Sequence, residues 1–131
     1  MRRPGQRPGD PDAGALTLSY VIIFPAFLFA LLVIVQASMW FLARDIALAA
    51  ARQGADAARA FGAPADAGPG AALTFVSSHG SGLLAGATAT SAGSTGATVQ
   101  IAVTGNAPAL IPGLPIRVTE TVQEPVEQFT P

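Results

Sequence analysis

The sequence predicts an α+β chain: a long N-terminal transmembrane helix that continues into a soluble helix, packed with a small three-stranded antiparallel sheet. Three observations predict it. No charged residue occurs between Asp12 and Arg44. The residues after Arg44 are alanine-rich and carry charges at helical spacing. The C-terminal part alternates apolar and polar residues between clusters of Gly and Pro, the period-two signature of half-buried strands.

A bilayer core of about 30 Å takes about 20 apolar residues as a helix. Residues 15–43 exceed that, and residues 21–35 are almost wholly Val, Ile, Leu, Phe and Ala. A cleaved secretory signal has an apolar region of only about 7–15 residues. Ala47-Leu48-Ala49 has the small-x-small form of a signal-peptidase site, but it lies beyond Arg44 and Asp45 and after too long an apolar run. Thr17 and Ser19 can bond back to helix carbonyls. Gln36 reads as a neighbour of the outer interface, together with Trp40, whose ring suits the headgroup level. A second helix or water is the alternative partner for its amide. Pro25 removes one helix hydrogen bond, the one to the carbonyl of Val21. Arg2, Arg3 and Arg7 before the span balance Arg44, Arg52 and Arg59 after it. The free amine and the short N-terminal tail favour a cytoplasmic N-terminus.

Beyond the span, residues 44–61 are rich in strong helix formers. Asp45, Arg52, Asp56 and Arg59 form one charged stripe, with Arg52–Asp56 and Asp56–Arg59 as favourable pairs. The other faces are nearly all alanine, which suits either close approach by another helix or a solvated stalk. Gly54 weakens this helix without ending it. Residues 62–70 form a breaker cluster and read as a linker. Residues 71–78 read as a short helix, ended by Gly80 and Gly82. Strands are expected at 84–91, with Thr88 and Thr90 on one face, at 97–104, with Val99, Ile101 and Val103 inward, and at 116–123, with Ile116, Val118 and Val122 inward. Glu120 falls on that inward face and reads as a bulge or an edge strand guarded by a charge. The expected organisation is a leader (1–14), the transmembrane helix (15–43), a helical extension (44–61), a linker (62–70) and a small extracytoplasmic α+β domain (71–131).

Composition excludes several kinds of chemistry. The chain has 131 residues, no Cys and a net charge of −1. Disulfides, thiolate metal sites and cysteine nucleophiles are absent, and no basic field attracts nucleic acid. The lone histidine, His79, follows Ser77 and Ser78 in what reads as a Ser/Gly-rich loop. A hydrolytic triad also needs an orienting carboxylate and an oxyanion hole, and nothing in the sequence arranges them. One His among scattered carboxylates lacks metal-ligand spacing. Glu120, Glu124 and Glu127, with Pro125 among them, read as a solvated tail. The expectation is a non-enzyme with no cofactor, no metal and no small-molecule substrate.

Residues 14–25, Gly-Ala-Leu-Thr-Leu-Ser-Tyr-Val-Ile-Ile-Phe-Pro, resemble the N-terminus of the TadE-like pseudopilins of tight-adherence (Flp-type) pilus systems. In that family a basic leader ends in Gly or Ala, and a prepilin peptidase cuts there on the cytoplasmic side. The mature helix then carries a Glu at its fifth position, an aromatic at its sixth, and a Pro six residues after the Glu. The resemblance implies processing between Gly14 and Ala15. It puts Ser19 fifth, Tyr20 sixth and Pro25 at the expected spacing, with Gln36 about where many members carry a second acidic residue. Ser19, Tyr20, Pro25 and Gln36 are the residues expected to set helix packing and register. The chain departs from the pattern in having Ser19 for the Glu, which in pilins pairs with a neighbour's new amine. That departure points away from a major filament subunit; the leader is also of mixed charge, with Asp10 and Asp12 beside its three arginines. The resemblance extends less specifically through the Ala/Arg-rich helix, the short helix and the strands to the tail ending at Phe129. It implies a minor pseudopilin, a plasma-membrane protein with a cytoplasmic N-terminus. Its partners would be other pilus subunits, a membrane assembly platform, the prepilin peptidase and the bilayer. The alternative is an uncleaved, signal-anchored protein with a small extracellular binding domain. A membrane-bound hydrolase centred on His79 is a third class.

Overall fold

The computed structural model describes residues 11–128, the side chains of Pro11, Ala13 and Ala15 excepted. Most of the expected leader and the tail residue Phe129 lie outside the described residues. Two helices and three strands follow in order: α1 (Pro11–Arg59), α2 (Ala67–His79), β1 (Ala85–Thr90), β2 (Thr98–Ala107) and β3 (Ile116–Pro125). The chain divides into two compact units between Ile34 and Val35.

In the first unit α1 is apolar and exposed on every side, from Leu16 through Ile34. The helix continues through Pro25. A helix that is apolar all round belongs in a core or a membrane. It is long and apolar enough to cross a bilayer.

In the second unit, Val35–Pro131, the remainder of α1 is one layer of a two-layer α+β fold. Ala43, Ala47, Ala50, Ala51 and Ala55 are fully buried. Their spacing of four, three, one and four puts them on one helical face. The sheet packs on this part of the helix as expected, so the face meets neither a foreign helix nor solvent: the chain's own sheet and α2 lie against it, and Val99, Ile101, Val103, Ala107 and Val118 complete the core. Gly54 does not end α1, as expected. It is instead the point of closest approach: a Cβ there would lie 2.7 Å from the Gly68 carbonyl oxygen and 3.0 Å from Ile101.

The sheet is an antiparallel meander in the order β1-β2-β3. Alternation along β2 is strict, with Val99, Ile101, Val103, Gly105 and Ala107 buried. The opposite face carries polar residues, including a Thr104–Thr119 hydroxyl contact across strands at 3.0 Å. Register between β2 and β3 is unbroken from Thr98↔Pro125 to Ala107↔Ile116. The bulge expected near Glu120 is therefore absent from β3, although β3 is an edge strand. The irregularity lies in β1, between Ala85 and Thr88. There Gly86 has φ +61°, a conformation costly for any residue with a Cβ.

α2 begins four residues earlier than expected, inside the supposed linker. Pro69 sits in its first turn, where a missing N–H costs no helix hydrogen bond. Gly68, Ala72 and Val76 are buried, one turn apart. Gly80 caps the helix, donating its N–H to the Val76 carbonyl at 2.8 Å.

Two glycine substitutions separate helix propensity from packing. Gly70→Ala adds a Cβ in open space and gains about 0.5–1 kcal/mol of stability. Gly54→Ala has the same propensity gain but drives a methyl into the α2 backbone, with a net loss of about 1–3 kcal/mol typical of overpacking. Thermal melts of the full chain in detergent check the opposite signs.

Candidate membrane and assembly surface

The residues singled out by sequence fall on two parts of α1. Gly14 is exposed in its first turn. Tyr20 and Pro25 share one helix face with Thr17, Val21 and Phe24, and together these five line a shallow apolar recess. The spacing of 17, 20, 21, 24 and 25 is that of one helical stripe. Ser19 is exposed and lies off that stripe, one residue before Tyr20 and so about 100° round the helix.

Gln36 lies in the second unit and is the most specifically held of the predicted residues. Its side-chain amide donates to the Pro108 carbonyl at 2.9 Å. Its side-chain oxygen accepts from the Leu110 N–H at 2.8 Å. The partner is neither a foreign helix nor water but the loop between β2 and β3. Trp40 is one turn further on, half-buried against the core, with Phe41 edge-on at 4.9 Å. The Arg44 guanidinium lies 5.9 Å from the centre of the Trp40 ring, within cation–π range.

Arg44 also donates to Glu120 at 2.6 Å. This hydrogen bond, and then the Glu120 charge, raise the Arg44 pKa above its ordinary value. Glu120 on the inward face of β3 thus has its partner on α1 across the layer. The carboxylates near it are not a solvated tail. Glu124, also in β3, meets Arg59 at 3.2 Å, and Glu127 lies 4.0 Å from the same guanidinium. Of the two pairs expected around Asp56, the structure forms the one with Arg59, at 3.0 Å. The Glu127 N–H donates to the Arg59 carbonyl at 3.2 Å, pairing one of the carbonyls a helix end leaves open. These pairs are at least partly exposed, so each contributes little to stability; they set register.

His79 is the last residue of α2 rather than a loop residue. Its ring stacks on Phe75 at 4.6 Å between centroids, and its Nδ1 lies 3.3 Å from the Phe75 carbonyl. The hydroxyls of Ser77 and Ser78 both donate to the Thr74 carbonyl. Among the described residues no cluster of three or more His, Asp or Glu side chains could hold a metal.

Sequence reasoning marked Gln36, Arg44, Glu120 and Glu124 as polar or charged residues in notable places and missed their partners. Each partner lies more than 60 residues away along the chain, beyond the reach of any local pattern. The misplaced charge of Glu120 was the one available signal.

Residues 14–56 match the family model described as TadE-like protein. The match starts at Gly14 and takes in the apolar helix and most of its alanine-rich extension; α2 and the sheet lie outside it. No curated protein and no solved structure matches the chain. The residues 14–25 that carry the resemblance thus lie within the matched segment, and the same helix is long and apolar enough to cross a membrane.

Two measurements probe this region. Gln36→Leu keeps the helix apolar and removes both bonds to the loop. At about 0.5–1.5 kcal/mol per bond, hydrogen exchange at the Leu110 amide speeds up roughly 5- to 100-fold. Arg44→Glu and Glu120→Arg each lower the melting temperature by placing like charges together. The double exchange regains most of the loss at low salt, and added salt shrinks all three differences.

Proposed function

We propose that this chain is a minor pseudopilin of the TadE-like kind, a structural and assembly component of a Tad (Flp-type) pilus or a related secretion apparatus. The observation that carries this reading is the family match over residues 14–56, which begins at the residue where the prepilin peptidase would cut. The uncovered apolar helix supports it. A segment exposed on all sides serves equally as a lipid-facing anchor and as a surface for helices of other subunits. The stripe of Thr17, Tyr20, Val21, Phe24 and Pro25 gives that surface a recess into which a neighbour's side chains can register. In this reading the leader is cytoplasmic and the Val35–Pro131 unit extracytoplasmic. The partners are other pilus subunits, the membrane assembly platform and the prepilin peptidase.

The protein acts in this reading without catalysis. The hydroxyls beside His79 are engaged by a helix carbonyl and its ring by Phe75, an arrangement that supports a structural role for all of them. Ser19 in place of a carboxylate supports a minor subunit. Without a charge at that position no ion pair forms with a neighbour's amine, and the subunit needs no such neighbour in front of it.

One observation favours the alternative, an uncleaved anchored protein with a small extracellular binding domain. The Gly14–Ala15 bond lies inside α1, whereas a peptidase takes its substrate extended. Opening that turn is cheap, because the first four N–H groups of a helix have no intrahelical partner and glycine disfavours helix.

The N-terminus and intact mass of the membrane-extracted protein, with and without the prepilin peptidase, test the proposal. The expected chain begins at Ala15 only when the peptidase is present, and Gly14→Leu abolishes the cut. A chain that keeps its leader in both cases belongs to the anchored class.

A further inference from the structure

The loop between β2 and β3 has the composition of a membrane-facing segment. Residues 108–115 read Pro-Ala-Leu-Ile-Pro-Gly-Leu-Pro, without a charge. Leu110, Ile111 and Leu114 are 39%, 50% and 52% exposed. Large apolar side chains clustered on an exposed tip mark an interaction site, and the place of this tip identifies what it meets.

That place is set by Gln36. At about 1.5 Å per residue, residues 15–35 rise roughly 31 Å, matching a hydrocarbon core of about 30 Å. Gln36 is the next residue, so it lies at the boundary of that core. A span centred between Asp12 and Arg44 puts it about one turn deeper. The loop is bonded to Gln36 at both Pro108 and Leu110. It therefore lies close to the depth of Gln36. Phe41 and Leu42, 55% and 45% exposed, extend the apolar surface on α1 itself.

Five of the eight residues of the loop leave no N–H unpaired. In lipid each unpaired N–H is costly. Pro108, Pro112 and Pro115 carry none. The Leu110 N–H goes to Gln36, and the Leu114 N–H goes to the Ile111 carbonyl at 3.4 Å.

We propose that the β2–β3 loop is a second, monotopic membrane contact: Leu110, Ile111 and Leu114 enter the interfacial region of the leaflet from which α1 emerges, and Gln36 ties them to the helix at that depth. This rests on the reading of α1 as membrane-spanning. The occupant is lipid. The contact seats the globular unit against the bilayer at two points instead of on one helix.

The absence of Cys allows single labels. Full-length Ile111→Cys, Leu114→Cys, Thr95→Cys and Leu28→Cys variants are labelled with an environment-sensitive fluorophore and reconstituted at low density into phosphatidylcholine vesicles. Thr95 is exposed in the loop at the opposite end of β2, and Leu28 is mid-span. The expected result is that lipids brominated near the headgroup quench the labels at 111 and 114, while aqueous iodide quenches them severalfold less than at 95. Lipids brominated deep in the chains quench the label at 28. Iodide quenching at 111 and 114 equal to that at 95, with 28 still lipid-quenched, overturns the loop contact and leaves the span standing. Water access at 28 overturns the span and the proposal with it. Shielding of 111 and 114 that appears only at high protein density assigns the loop to a second copy and also overturns the proposal.

Discussion

Close approach between α1 and the sheet depends on Ala43, Ala47, Ala50, Ala51 and Ala55 having no side chain beyond Cβ. Among the described residues only Ile101 and Val103 of the larger side chains are fully buried, so this core is thin. A thin core is stable only if its layers sit close, because dispersion contacts vanish across small gaps. Gly54 and Gly68 extend the same logic to the α1–α2 crossing. The structure needs an all-small helical face, and the rest of the second unit is arranged around it.

Charge completes the arrangement without contributing much energy. Arg44 and Arg59 project from the edges of the alanine face and meet Glu120 and Glu124 on β3. Both carboxylates lie on the side of the strand that faces the helix, where an unpaired charge would be costly. Slipping β3 by one residue would turn them, together with Val118 and Val122, to the opposite face. The pairs thus help hold an edge strand in one register on a helix that offers it little apolar contact.

One helix therefore has two solvents. Up to Ile34 its side chains are exposed; from Ala43 one of its faces belongs to the core of a small α+β unit. The stripe around Tyr20 and Pro25 lies on the membrane part, the match to TadE-like proteins spans both parts, and the Gln36 clamp stands where they meet along the chain.

The sequence by itself determined the elements and their faces. Length without charge specified the span, alanine content the helical extension, and strict alternation the inward sides of β2 and β3. These are local properties, written in periods of 3.6 and two. The bounds shifted where a local signal was ambiguous: the Gly/Pro cluster hid the first turn of α2, and His79 closed a helix instead of sitting in a loop. Only the tertiary structure decided what each face meets. The sheet is expected on the helical extension, but an alanine stripe does not say which side chains will lie against it. Gln36 reads as an interfacial amide, but its bond to the loop 72 residues away is not written near it, and Glu120 reads as a misfit until Arg44 arrives from 76 residues away. Periodicity encodes which side of an element is covered; the identity of the cover depends on contacts that no short stretch of sequence contains.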